Sequence, residues 1–182
     1  MIARGIQTVE TSSCGRLFDA VSSLLGIRHE TTYEGQAAIE LEMQATSASE
    51  PYPFRIDDGE PFQIDLRPAI EALVGDAIRG VQIGEISAQF HLTMAHAIAD
   101  ASERLRQASG LRRVCLSGGT FQNLRLLTHA VALLREREFE VFIHRRVPTN
   151  DGGLALGQAV IASHQLSGMD RDSEPADHEI RG

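Results

Sequence analysis

Two Gly-Gly pairs, Gly118-Gly119 and Gly152-Gly153, each stand between a β-prone run and an apolar pattern of helical period. Arg112-Arg113-Val114-Cys115 leads into Leu116-Ser117-Gly118-Gly119-Thr120-Phe121-Gln122-Asn123. Phe121, Leu124, Leu127, Val131 and Leu134 then recur along one helix face. Phe139 to Ile143 reads as the next strand. The loop Val147 to Gly153 follows, and a helix opens with Leu154, Leu156, Val160 and Ile161. Strand, helix, strand in this order is almost always a right-handed parallel crossover. Both strands then end at the same edge, and ligands of open α/β sheets sit beyond that edge. The two glycine loops are therefore expected side by side. Gly118 and Gly119 let backbone amides approach an anion, and the helix N-terminus adds positive potential. This is a pattern for phosphate or nucleotide.

Asp151 stands in the second loop. A carboxylate beside phosphate-binding amides repels the phosphate unless a cation lies between them, and Mg²⁺ commonly joins carboxylates to phosphates. Asp151 is thus a candidate ligand for a divalent metal. The plainer alternative is that Asn150-Asp151 caps the next helix. One carboxylate does not make a closed metal site.

The rest of the chain reads as mainly helical. Thr11-Ser12-Ser13 offers caps for a helix whose face is Leu17, Phe18, Val21, Leu24 and Leu25, ended by Gly26. Asp19 lies on it, and a solvated helix position is its plain reading. Tyr33-Glu34-Gly35-Gln36-Ala37-Ala38 opens a second helix running to about Thr46. Phe54-Arg55-Ile56 and Phe62-Gln63-Ile64 flank Asp58-Gly59 as a hairpin. Pro68 starts a helix with Ala69, Ile70, Leu73, Val74 and Ile78 as its buried face. A long helix near 83–108 follows, with Ile83, Ile86, Phe90, Met94, Ala97, Ile98, Ala101 and Leu105. Its His91 and His96 are five apart and diverge by roughly 140°, so they do not chelate one ion and belong to surface or core. The polar stretch after Gln165 is expected to be a disordered tail.

Charge and composition exclude several classes. The 182 residues suffice for one core or two small lobes. The net charge of −8 without a basic stripe argues against nucleic acid. No apolar run approaches the roughly 20 residues of a membrane helix, and Met1-Ile2-Ala3-Arg4 does not begin a signal peptide. Cys14 and Cys115 form no CxxC and are expected as buried free thiols in a reducing cytoplasm.

Four blocks together resemble the C-terminal part of the HypF family of hydrogenase-maturation carbamoyltransferases. They are Thr11-Ser12-Ser13-Cys14-Gly15-Arg16-Leu17-Phe18-Asp19-Ala20-Val21, Tyr33 to Ala38, Leu116 to Gly119 with Phe121-Gln122-Asn123, and Pro148 with Asn150 to Gln158. The region is similar, more distantly, to the TsaD enzymes of tRNA threonylcarbamoylation. The resemblance implies an α/β fold, the second lobe of an actin-like ATPase (RNase H-like, sugar-kinase) domain with added helices and a parallel or mixed sheet. Residues 1–166 would be a partial TsaD/Kae1-like carbamoyltransferase domain, and residues 167–182 a polar tail.

The same resemblance implies a reaction. A carbamoyl-adenylate, made from carbamoyl phosphate and ATP in a separate domain, gives its carbamoyl group to the C-terminal cysteine thiol of HypE. Dehydration there leads to the cyanide ligands of the nickel-iron centre. By motif position, Asp19 and Gly35 correspond to contacts near the adenylate ribose. Gly118, Gly119 and Asn123 correspond to contacts with phosphate and nucleotide, and Asp151 to a ligand of a divalent metal, Mg or Fe. The family's HxxxH histidine pair, which completes the metal site, is missing here, as are its other domains. An incomplete catalyst is expected, with HypE and the missing N-terminal half of the enzyme as partners and neither nucleic acid nor membrane. Two alternatives stay open: a non-catalytic module that binds a partner, and an ATP-dependent kinase lobe of the same superfold.

Overall fold

The computed structural model describes residues 11–48 and 50–172. Six helices and four short strands follow in the order α1 (Cys14–Leu24), α2 (Gln36–Gln44), β1 (Arg55–Ile56), β2 (Ile64–Asp65), α3 (Arg67–Arg79), α4 (Ile83–Ser109), β3 (Arg113–Leu116), α5 (Leu124–Glu136), β4 (Glu140–Ile143) and α6 (Leu154–Asp172). The helix starts follow local chemistry. Ser13 caps α1 by accepting from the Arg16 N–H, Pro68 occupies the first turn of α3, and Asn123 caps α5. The Tyr33–Ala38 block opens later than its sequence suggests. Gly35, at φ +77°, is the N-cap and α2 runs only from Gln36 to Gln44.

α4 is the centre of the core. It packs against α2, α3 and α5, and nearly every position from Ile86 to Ala99 is buried or half-buried. Phe18 and Val21 of α1, Leu41 of α2, Leu73 of α3 and Leu126 and Leu134 of α5 close around Ile86 and Phe90. Five residues assigned to apolar faces of α1 to α5 lie outside this core. Leu24, Ile78, Ile83, Leu105 and Leu124 are all more exposed than buried positions allow, Ile78 at 82%. Each sits at a helix end, where the apolar period continues after the neighbouring element has stopped.

The strands form two separate pairs. β1 and β2 make the expected antiparallel hairpin. β3 and β4 pair in parallel, Arg113 opposite Glu140 through Leu116 opposite Ile143. α5 crosses between them and covers one face, burying Leu116. Cys115 points to the other side of the pleat and is exposed, contrary to the buried thiol expected, because among the described residues no second layer covers that face. α6 continues through the expected 166/167 boundary to Asp172, so the first residues of the presumed tail are helical. Residues 173–182 lie outside the described residues. No helix among the described residues is long and apolar enough to cross a membrane.

Candidate functional site

The parallel register brings both glycine loops to one edge. The Gly118 N–H donates to the Thr149 carbonyl at 2.9 Å, and Thr149 Oγ1 donates back to the Gly118 carbonyl at 3.2 Å. Ser117 Oγ lies 2.9 Å from His144 Nε2 across the same pair of strand ends. The predicted juxtaposition of the two loops is therefore present, and hydrogen bonds join them directly.

Glycine is required at two points. Gly118 has φ +109° and ψ 157°, a region essentially closed to other residues. At Gly153 a Cβ would fall 2.6 Å from the Pro148 carbonyl oxygen, so the second loop closes tightly only without a side chain. One detail was hidden from the sequence. The helical pattern beginning at Phe121 is first a 3-10 turn, Gly119–Gln122, before α5 starts at Leu124. The Gly118 N–H is already used by Thr149, which leaves the Gly119 and Thr120 amides as the first-turn donors.

α1 abuts this turn. The nearby Thr120 side chain favours the thiolate of Cys14, but burial outweighs it and pushes the thiol up from its ordinary value, so it stays protonated. Asp19, five residues on, is one-third exposed and pairs with Arg16 at 3.6 Å. Gly35 is exposed at the start of α2. Among the described residues neither Asp19 nor Gly35 bonds to the glycine loops. The structure thus brings Gly118, Gly119 and Asp151 together and leaves Asp19 and Gly35 on the α1–α2 pair.

Asn123 ends the first loop but its side chain faces inward. It is 9% exposed; its Oδ1 accepts from the Leu126 N–H at 2.8 Å and its Nδ2 donates to His91 Nε2 at 2.9 Å. His91 is fully buried on α4, and its Nδ1 lies 2.7 Å from the Ser87 carbonyl. Burial drives its pKa down to about 4, with the Arg125 charge adding to the effect. Assigned only to surface or core from the sequence, it is a core histidine wired to the loop. Ser87 beside it donates to the Leu41 carbonyl at 2.6 Å and ties α4 to α2. The only sequence signal for this network was Ser87 and His91 at helical spacing next to the apolar stripe.

Asp151 is exposed and opens the 3-10 turn Asp151–Gly153. The capping role falls to its neighbour, since Asn150 Oδ1 accepts from the Gly152 N–H at 3.1 Å. Among the described residues, no group of three or more His, Cys, Asp or Glu side chains gathers to hold a metal. A cavity of about 570 Å³, lined by Tyr52, Phe54, His96 and Asp100, shares no residue with these loops.

Comparison with known proteins places this arrangement. Residues 1–158 match the family model described as carbamoyltransferase, Kae1-like domain, second subdomain. The carbamoyltransferase HypF of Rhizobium leguminosarum bv. viciae is 39% identical over 164 residues, covering 89% of this chain and 21% of the relative. That of Rhodobacter capsulatus is 38% identical over 167 residues, covering 91% and 21%. A crystal structure of full-length HypF in the phosphate- and nucleotide-bound form superposes with a TM-score of 0.86 at 41% identity, over 91% of this chain and 22% of that one. The chain spans about a fifth of the length of the relatives it matches. It belongs to the HypF carbamoyltransferase family and corresponds to the second subdomain of that family's Kae1-like domain.

Proposed function

We propose that this chain forms one wall of a carbamoyl-transfer site, in the second lobe of an actin-like ATPase fold. The joined glycine loops carry the reading, because they put first-turn amides and a carboxylate at one sheet edge. The substrate is a carbamoyl-adenylate, a mixed anhydride that is already activated. The acceptor is the C-terminal cysteine of a HypE-type protein. Its thiolate attacks the carbamoyl carbon, the bond to the phosphate oxygen breaks, and AMP leaves with the electron pair. Such a reaction needs orientation and charge stabilisation more than a protein nucleophile. The Gly119 and Thr120 amides would receive the phosphate. Asp19 and Gly35 would border the nucleoside, and Asn123 would hold the end of the loop.

A divalent cation fits here only in part. Asp151 offers one exposed oxygen donor, and the other ligands would come from outside this chain. Bound there, the cation would screen the phosphate charge from the Asp151 carboxylate.

The rest of the enzyme is the partner this reading needs, and α6 supplies the surface. Residues 154–167 contain no Asp, Glu, Lys or Arg, yet every one of them is exposed, including Leu154, Leu156, Val160, Ile161 and Leu166. About four-fifths of the length of the matched relatives lies beyond the region this chain covers, and that sequence is the occupant we assign to α6.

The test is Asp151→Ala in the assembled enzyme. Carbamoyl transfer to the acceptor thiol should be lost while carbamoyl-adenylate formation continues, since the two steps belong to different domains. Asp151→Asn should behave like Asp151→Ala; near-normal transfer by the Asn variant would reject the metal role.

A further inference from the structure

We propose that His91 is a positioning residue for the Gly118-Gly119 loop, acting through Asn123 as a neutral hydrogen-bond acceptor. The proposal rests on the phosphate-loop reading above. It starts from a chain of atoms whose donor and acceptor roles determine one another. The Leu126 N–H can only donate, so the Asn123 atom 2.8 Å from it is the carbonyl Oδ1. The remaining Asn123 atom is then the amide nitrogen, which can only donate, so His91 Nε2 at 2.9 Å must carry a lone pair. The ring proton therefore sits on Nδ1, and a carbonyl, that of Ser87, waits 2.7 Å away to accept it. The assignment closes without conflict at every atom.

The geometry gives this relay its consequence. Asn123 is at once the last residue after the 3-10 turn and the N-cap of α5. Its side chain thus fixes where the turn ends, and with it the direction of the Gly119 and Thr120 amides. His91 holds that side chain from α4, the most buried helix. Phe18 of α1 and Phe90 of α4 stand edge-on to the ring at 5.2 and 6.2 Å and keep water away. Arg125 and His129 of α5 are the charged and titratable groups that face it, and both disfavour a second ring proton. Among the described residues no carboxylate acts on the imidazole; the bond to the Ser87 carbonyl favours the charged ring, and burial outweighs it.

Nitrogen-15 spectra of the histidine rings in this chain test the proposal directly. The expected result is a proton on Nδ1 and a bare Nε2 for His91 at neutral pH; a proton on Nε2 overturns the relay. His91→Phe removes the acceptor and keeps the volume. It should shift the Gly119 and Thr120 amide signals and speed their hydrogen exchange by about tenfold, the usual scale for one buried polar group left unpaired. His91→Gln, whose carbonyl oxygen reaches the Nε2 position, should restore both. Unmoved glycine-loop amides in His91→Phe overturn the proposal.

Should His91→Phe fail to fold, Asn123→Asp serves instead. It keeps the cap on Leu126 but replaces the donor to Nε2 with a carboxylate, so His91 should take a second proton at a higher pH than in the parent chain. An unchanged His91 titration overturns the proposal. None of these measurements involves nucleotide. If the relay holds but the assembled enzyme shows no nucleotide-dependent change at Gly119 and Thr120, the phosphate-loop reading fails while the wiring of the loop stands.

Discussion

α4 and α6 are both long, and they use their residues in opposite ways. α4 carries Glu85, Asp100, Glu103, Arg104 and Arg106, yet it is buried nearly all round through its first half. α6 has no charged residue between 154 and 167, yet it packs mainly on the short turn before it. The contrast shows that hydrophobicity and burial are separate properties within one chain. α4 also buries three polar side chains, and each fixes a different neighbour. Ser87 holds α2, His91 holds Asn123, and Thr93 Oγ1 accepts from the Tyr52 N–H at 2.7 Å while donating to the Gln89 carbonyl. A buried polar group must be satisfied, so each one specifies a single partner geometry. α6 has apolar surface and no such specification among the described residues.

Matched truncations should expose that difference most strongly. Phe90→Ala removes a fully buried ring that packs edge-on against Phe18 and should cost about 3–5 kcal/mol in urea unfolding of this chain. Val160→Ala, on the exposed helix, should change stability by less than about 0.5 kcal/mol. A cost above about 2 kcal/mol at Val160 would mean that α6 has a partner within the chain after all.

Acid should separate the same two regions. His91 is neutral in the fold, with its pKa lowered by burial from near 6.5 to about 4. Between those values the unfolded chain binds a proton that the folded chain does not, so stability falls as pH falls through that window. The full drop corresponds to about 3 kcal/mol. His129 is shifted the same way by partial burial and Arg125 and adds to the slope. Chemical denaturation at pH 7 and at pH 4.5 should show the loss, and His91→Gln should flatten most of it. Equal slopes in both proteins would place the acid sensitivity elsewhere.

Much of this was legible because it is local. The β3–α5–β4 crossover followed from periodicity, and the meeting of the two loops followed from its parallel strands. The hairpin and the cap at Ser13 follow from short-range chemistry as well. What stayed hidden depends on partners distant in sequence. The bond from His91 to Asn123 spans 32 residues and that from Ser87 to Leu41 spans 46. No periodicity predicts which polar side chain on a buried helix will meet which amide. The exposure of Cys115 and of α6 was hidden for a related reason: an apolar pattern states that a surface should be covered, but not by what.

Gly118→Ala should have an intermediate effect. Its backbone at φ +109° is open to glycine alone, so a methyl group costs about 1–3 kcal/mol or forces the loop to relax. Relaxation would break the bonds to Thr149 and disturb the Asn150 loop as well. A variant with parent-like stability and unchanged amide signals at Asn150 to Gly153 would show that the loops are not coupled.

The smallest effect belongs to two adjacent residues. Asn150 is the N-cap and bonds the Gly152 N–H, while Asp151 beside it is exposed and leaves the cap to its neighbour. Asn150→Ala should therefore destabilise the chain by about 1 kcal/mol, the ordinary cost of a lost cap. Asp151→Ala should stay within about 0.5 kcal/mol of the parent, as expected for a surface change. Thermal unfolding of the two variants side by side decides the matter. A larger loss at Asp151 than at Asn150 would return the carboxylate to a capping role and remove the reason for assigning it a cation. The predicted order leaves Asp151 with no structural task among the described residues. Any large effect of its substitution on carbamoyl transfer would then report chemistry rather than folding.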